Sequence, residues 1–192
     1  MRIRMAMAGL LLMAAPAVAE VQETARSGAW TNVEGIADSG QAMCGMSING
    51  DGRIFVVKYF AGDENLFIHM GRVGWSLRPG ASVKVRLAFG SATPWAATAS
   101  AIGDGRLIQF QVPNSMVPVF EREFRASARF TVDFPGTREE GWAGSMVGSN
   151  GAATEFVRCI ERIGARMLDP FRAPGGSRPS ADPAPARPGL RT

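Results

Sequence analysis

Apolar and polar residues alternate with a period of two along much of this chain. Val83, Val85, Leu87 and Phe89 alternate with Ser82, Lys84, Arg86 and Ala88. Ala128, Phe130, Val132 and Phe134 alternate with Arg129, Thr131 and Asp133, and Ile108, Phe110 and Val112 with Gln109 and Gln111. Successive side chains of a strand point to opposite faces, so each run predicts a strand with one face in a core. Arg53–Phe60 is rich in β-branched and aromatic residues and predicts another. Leu66, Ile68 and Met70 form one face of a shorter strand, with Phe67 and His69 on the other.

Turn chemistry falls between these runs. Asn49-Gly50-Asp51-Gly52 divides Met43–Ile48 from Arg53–Phe60 and predicts a hairpin, because these residue types accept the positive φ of a tight turn. Gly62-Asp63-Glu64-Asn65, Pro79-Gly80 and Pro135-Gly136 bound the other runs, and Gly103-Asp104-Gly105 parts Trp95–Ile102 from Arg106–Val112. Two stretches keep a helical period instead. Phe120 and Phe124 lie four apart within Val119–Ala126, a short helix. Ala152, Phe156, Ile160 and Ile163 line one face of a longer one that Ser149 or Asn150 can cap. Cys159 lies beside that stripe and so faces, or nearly faces, the sheet. Together these elements predict a mainly β fold: an antiparallel β-sandwich or open barrel, with a C-terminal helix packed on it and one short additional helix.

The chain ends break the pattern. Arg2 and Arg4 precede an apolar run from Met5 to Ala15, then Pro16 and the small residues Ala17-Val18-Ala19. That order is a signal peptide with its cleavage site. The run is too short for a bilayer, which takes roughly 20 residues. Residues 1–19 are therefore expected to leave, giving a mature form that starts at Glu20, is periplasmic or secreted, and has no membrane span. Residues 170–192 hold six of the twelve prolines and only Phe171 and Leu190 as bulky apolar side chains. Such a segment buries too little surface to offset its chain entropy and reads as a disordered Pro/Gly/Arg-rich tail. One β-rich domain, residues 20–169, remains between them.

Charge follows that division. The chain carries +4. The signal segment holds two of those charges, and the tail, with Arg172, Arg178, Arg187 and Arg191 against Asp182, holds three, which leaves residues 20–169 at −1. A near-neutral domain without a basic stripe is not expected to bind nucleic acid.

Cys44 and Cys159 are the two cysteines. In an oxidising compartment a single pair predicts one disulfide, which here closes 115 positions. Chain-entropy arguments assign such a closure roughly 4–5 kcal/mol. Met43, Cys44 and Met46, with His69-Met70, are soft enough for copper, but a blue-copper centre takes two histidines and the chain has one. No metal or cofactor is expected.

Trp30, Cys44-Gly45-Met46, Trp75-Ser76-Leu77, and Gly148-Ser149 ahead of a small-residue helix that ends in Phe156-x-x-Cys159 resemble a group of small exported proteobacterial proteins. The layout is also distantly similar to the invasion-associated locus B family. The resemblance implies a periplasmic, non-catalytic, β-rich protein and brings no site residues with it.

Candidate chemistry is sparse. A serine triad needs a histidine base, and His69 stands alone, read here as a half-exposed strand residue with no acid placed beside it. Gly-x-Ser-x-Gly is absent. Gly148-Ser149-Asn150-Gly151 opens a helix, where free N–H groups hold anions in other proteins, but no phosphate-loop lysine follows. Trp30, Trp75 and Trp95 are the candidate surface-binding aromatics, since three rings on one exposed face stack on sugars or a peptide, although core packing is the commoner use of tryptophan. The reading is a non-catalytic binding or structural module that contacts a protein or cell-envelope component. The alternative is an envelope-polymer hydrolase using paired carboxylates.

Overall fold

The computed structural model describes residues 20–168. The expected signal segment 1–19 and the expected tail 170–192 lie outside the described residues. Ten strands and two helices follow in order: β1 (Val21–Ser27), β2 (Trp30–Ile36), β3 (Ala42–Gly50), β4 (Arg53–Phe60), β5 (Leu66–Arg72), β6 (Ser82–Phe89), β7 (Trp95–Ile102), β8 (Leu107–Val112), α1 (Val117–Ala126), β9 (Arg129–Asp133), β10 (Trp142–Ser145) and α2 (Ser149–Leu168). The mainly β class with a C-terminal helix and one shorter helix is what the alternation and turns predict.

All ten strands form one antiparallel sheet in the order β1-β2-β3-β4-β5-β8-β7-β6-β9-β10. β1 to β5 run as hairpins. The chain then passes to β6, and β7 and β8 return it to pair with β5, so the two halves share one ladder instead of stacking as separate sheets. The sheet curls until its far parts touch. Phe55 of β4 packs on Phe130 of β9 with ring centroids 4.7 Å apart, and Trp30 Nε1 of β2 donates to the carbonyl of Ser145 at the end of β10 at 3.3 Å. This is the open barrel of the two expected architectures.

The inner face is the core. Trp30, Cys44, Phe55, Val57, Ile68, Met70, Leu87, Ile108 and Val132 are sealed from solvent there. Full burial of a side chain of this size contributes about 1.5–3 kcal/mol. α1 begins at Val117, two residues earlier than the apolar spacing predicts, because Pro118 suits a first helical turn. Phe120 and Phe124 then enter the barrel mouth and meet Phe89, Trp95 and Trp30 edge-on. α2 lies across β1, β2 and β3 and beside α1.

Two glycines admit the join between the sheet ends. Gly28, with φ +58°, has the carbonyl of Val147 where a Cβ would stand, and Gly148, with φ +91°, has the carbonyl of Ser27 there. Each backbone occupies the space the other's missing side chain leaves. Ser149, expected as a cap of α2, is its first residue, and its hydroxyl donates instead to the carbonyl of Phe124 on α1 at 3.4 Å.

Candidate functional site

Cys44 and Cys159 are joined as a disulfide, with 6.0 Å between their Cα atoms, and both are buried. The bond ties the first half of β3 to the middle of α2, as the helix stripe and cysteine count predict. Its sulfurs are unavailable as metal ligands. The other soft side chains are also dispersed, because strand alternation puts Met43 and His69 on the outer face and Met46 and Met70 on the inner one. Among the described residues no cluster of three or more His, Cys, Asp and Glu could hold a metal ion.

The tryptophans do not form one exposed face. Trp30 is wholly buried in the core, which removes it as a surface-binding aromatic: its position opposite Ile48 puts the ring between Phe55 and Phe124. Trp95 is half-buried against Phe120, with Nε1 donating to Glu123 at 2.7 Å. Trp75 is half-buried against Phe134, beyond the end of β9. Trp75 and Trp95 keep some exposure, but on different parts of the molecule.

His69 is buried, not half-exposed. It sits on the outer face between Val56 of β4 and Gln109 of β8, its register partners, and Nε2 has no hydrogen-bond partner. Burial, and secondarily the positive charge of Lys58, pushes its pKa down to about 4, while a hydrogen bond with Gln109 acts the other way. A cation as the charged neighbour is the reverse of the carboxylate that would orient a catalytic histidine. Lys58 is itself lowered by burial, with Asp38 opposing.

Several carboxylates sit in ion pairs. Glu121 pairs with Arg125 at 2.7 Å, Glu139 with Arg72 at 2.6 Å, Glu155 with Arg158 at 2.6 Å and Glu34 with Arg162 at 2.9 Å. The helix start at Gly148–Gly151 is occupied by the β1–β2 turn: a Cβ on Gly151 would meet Ser27 Oγ, as one on Gly148 meets its carbonyl.

The described residues also form a concavity that the strand and turn pattern does not announce. A cleft of about 60 Å³ opens between α1, α2 and the β3–β5 edge of the barrel mouth. Leu66, Val117, Phe120, Phe156, Val157 and Ile160 are among its walls, and Glu121 supplies its one charged side chain. The helices flanking it are fastened together. Arg125 Nη1 donates to the carbonyl and Oδ1 of Asn150, each at 2.9 Å, and to Thr154 Oγ1 at 3.0 Å. The cleft could be anticipated only from two short apolar stripes, on α1 and α2, meeting over Met46 of β3.

Together these features define the class: a disulfide-clasped open β-barrel whose mouth carries a pair of fastened helices. Set against protein-family models, curated proteins and solved structures, the chain matches none. Among the described residues no helix is long and apolar enough to cross a membrane.

Proposed function

We propose that this chain is an exported, periplasmic, non-catalytic binding module that takes an apolar side chain of a partner protein into the α1–α2 cleft. The observation that carries the reading is the lining of that cleft: nine apolar residues and one carboxylate already neutralised by Arg125. Its size decides the class of ligand. Small-molecule sites run to roughly 300–1,000 Å³, and an enclosed cavity of roughly 150 Å³ takes benzene. A cleft of about 60 Å³ admits a few carbon atoms, which suits one projecting side chain of a larger partner. The fastened helices and the disulfide favour this use, since a preformed cleft lowers the ordering cost of binding. Hydrolysis of an envelope polymer needs two carboxyl groups roughly 5–9.5 Å apart across the scissile bond. The cleft offers one, and it sits in an ion pair.

A photo-crosslinking residue placed at Val157 tests the reading. In periplasm it should capture one discrete partner, and that adduct should disappear when Val117→Glu puts a charge on the opposite wall. The same crosslinker at Lys84, an exposed residue of β6 remote from the cleft, should give no such adduct. Identical adducts at both positions, or cleavage of purified envelope polymer by the unaltered protein, would overturn it.

A further inference from the structure

The other end of the β4–β5 hairpin carries an unsolved charge problem. Arg53 and Arg72 are Cα partners across β4 and β5, so their side chains leave the same face directly opposite one another. By the alternation of those strands this is the inner face, at the rim of the barrel, one step beyond Phe55 and Met70. Like charges at a directly opposed pair are destabilising. Folding supplies one counter-charge: Glu139, in the β9–β10 loop, meets Arg72 at 2.6 Å. Arg53 receives none. Its Nε is buried and has no acceptor, and the side chain makes no ion pair among the described residues. A buried donor left without a partner costs about 1–3 kcal/mol, and more when the group is charged. A second buried donor without an acceptor, Trp142 Nε1, lies three residues beyond Glu139 in the chain.

The surroundings indicate what would complete this rim. The turn from Arg72, closed by Trp75 N–H donating to the Arg72 carbonyl at 3.1 Å, sets Val73 and Trp75 beside the arginines. Val73 is 80% exposed and Trp75 packs on Phe134. Arginine and tryptophan are the side chains that most often dominate protein interfaces. The guanidinium fork matches a carboxylate or a phosphate. Phosphate-rich polymers, however, are held by broad basic surfaces, and residues 20–169 carry a net −1. An acidic side chain presented by a protein fits the rim better: one carboxylate against a two-arginine pair, with an apolar neighbour for the residue next to it.

We propose that Arg53 and Arg72, opposed at the rim with Glu139 on one of them and no described carboxylate on the other, form a recognition site for an Asp or Glu side chain of a partner protein. Glu139 then acts as an internal stand-in that holds Arg72 until the partner's carboxylate arrives. The site is distinct from the α1–α2 cleft. Leu66 lines the cleft and Arg72 closes the same strand, about 20 Å away at roughly 3.3 Å per residue. It stands whether or not the cleft is used.

The test uses the side-chain Nε–H signals of the arginines in ¹⁵N-labelled protein, titrated at constant ionic strength with tetraglutamate, with inorganic phosphate and with chloride. Tetraglutamate should move the Arg53 signal saturably and leave that of Arg122, an exposed residue of α1, in place. Arg53→Lys keeps the charge but loses the fork, and should weaken binding at least tenfold. Glu139→Gln removes the competing carboxylate and should tighten binding several-fold, a gain that a purely structural ion pair would not produce. The proposal fails if the Arg53 signal does not move, if Arg122 moves equally, if phosphate binds more tightly than the peptide, or if Glu139→Gln leaves affinity unchanged.

Discussion

Arg125 reaches from the end of α1 to the start of α2, where its Nη1 donates to both the carbonyl and the side-chain oxygen of Asn150. The same guanidinium pairs with Glu121 one turn back on its own helix. A ten-residue helix is marginal alone. Here Phe120 and Phe124 anchor its inner side and Arg125 anchors its end. Arg125→Met keeps the stem and removes the donors, leaving the Asn150 carbonyl and Glu121 without this partner. Unfolding in urea should show a loss of about 1–2 kcal/mol, less than for a fully buried charged hydrogen bond because a quarter of the side chain is exposed. Faster amide exchange in α1 than in β4 should accompany it. An unchanged midpoint would show that the aromatic anchors alone hold the helix.

The disulfide should matter more. Cys44 and Cys159 are both almost wholly buried, so neither should react with an alkylating reagent before unfolding or reduction. Replacing both with alanine removes the link and leaves the packing little changed. The expected loss is about 3–4 kcal/mol, which in a domain of this size lowers Tm by about 10 °C. Rapid alkylation of the folded protein without reductant would contradict the bond.

How much of this was readable in the sequence depends on what each residue's environment required. The strands with clean alternation, β6, β8 and β9, are read directly, because one face is core and the other solvent. β1 reads as nothing, since Val21–Ser27 is exposed on both faces at a sheet edge. β2 is concealed by polar residues on its inner face: Asn32 is buried, and its amide donates to the Ala152 carbonyl on α2 at 2.9 Å. Only the packed helix explains that asparagine. The choice of barrel over sandwich rests on the β5–β8 pairing, a long-range contact with no local signature. The Arg53–Arg72 opposition, by contrast, could have been found by counting outward from the Gly62–Asn65 turn. Core packing, the commoner use of tryptophan, is what Trp30 shows, but nothing in its neighbours tells that the sheet curls over it.

His69 links the fold to pH. Its folded pKa of about 4 lies below the ordinary 6.5, so between those values the unfolded chain binds more protons than the folded one. Stability is therefore complete above pH 6.5 and is lost as pH falls toward 4. The full loss is about 3 kcal/mol, of which about 2 kcal/mol is gone by pH 5. His69→Gln keeps a polar side chain in the same place and cannot titrate. Urea midpoints at pH 7.5 and 5 should differ clearly for the unaltered protein and much less for the variant. Equal slopes in both would place the acid sensitivity elsewhere.

The closure of the barrel makes the sharpest structural prediction, because two glycines with nearly the same φ can be compared. Gly148 has φ +91° and Gly74 has φ +96°. Alanine at either pays the cost of a left-handed backbone, about 1 kcal/mol. At Gly74 nothing lies within 4 Å of the new methyl group. At Gly148 the new methyl group would collide with the carbonyl oxygen of Ser27, a backbone atom of the β1–β2 turn. The two chains must separate, which disturbs the contact between Trp30 and Ser145 that joins the sheet ends. Gly148→Ala should therefore cost about 2–3 kcal/mol more than Gly74→Ala, within the range that strained or overpacked sites reach. Its tryptophan fluorescence should shift to the red as Trp30 meets solvent. Equal costs at the two positions would mean that the barrel ends do not meet through this pair of glycines.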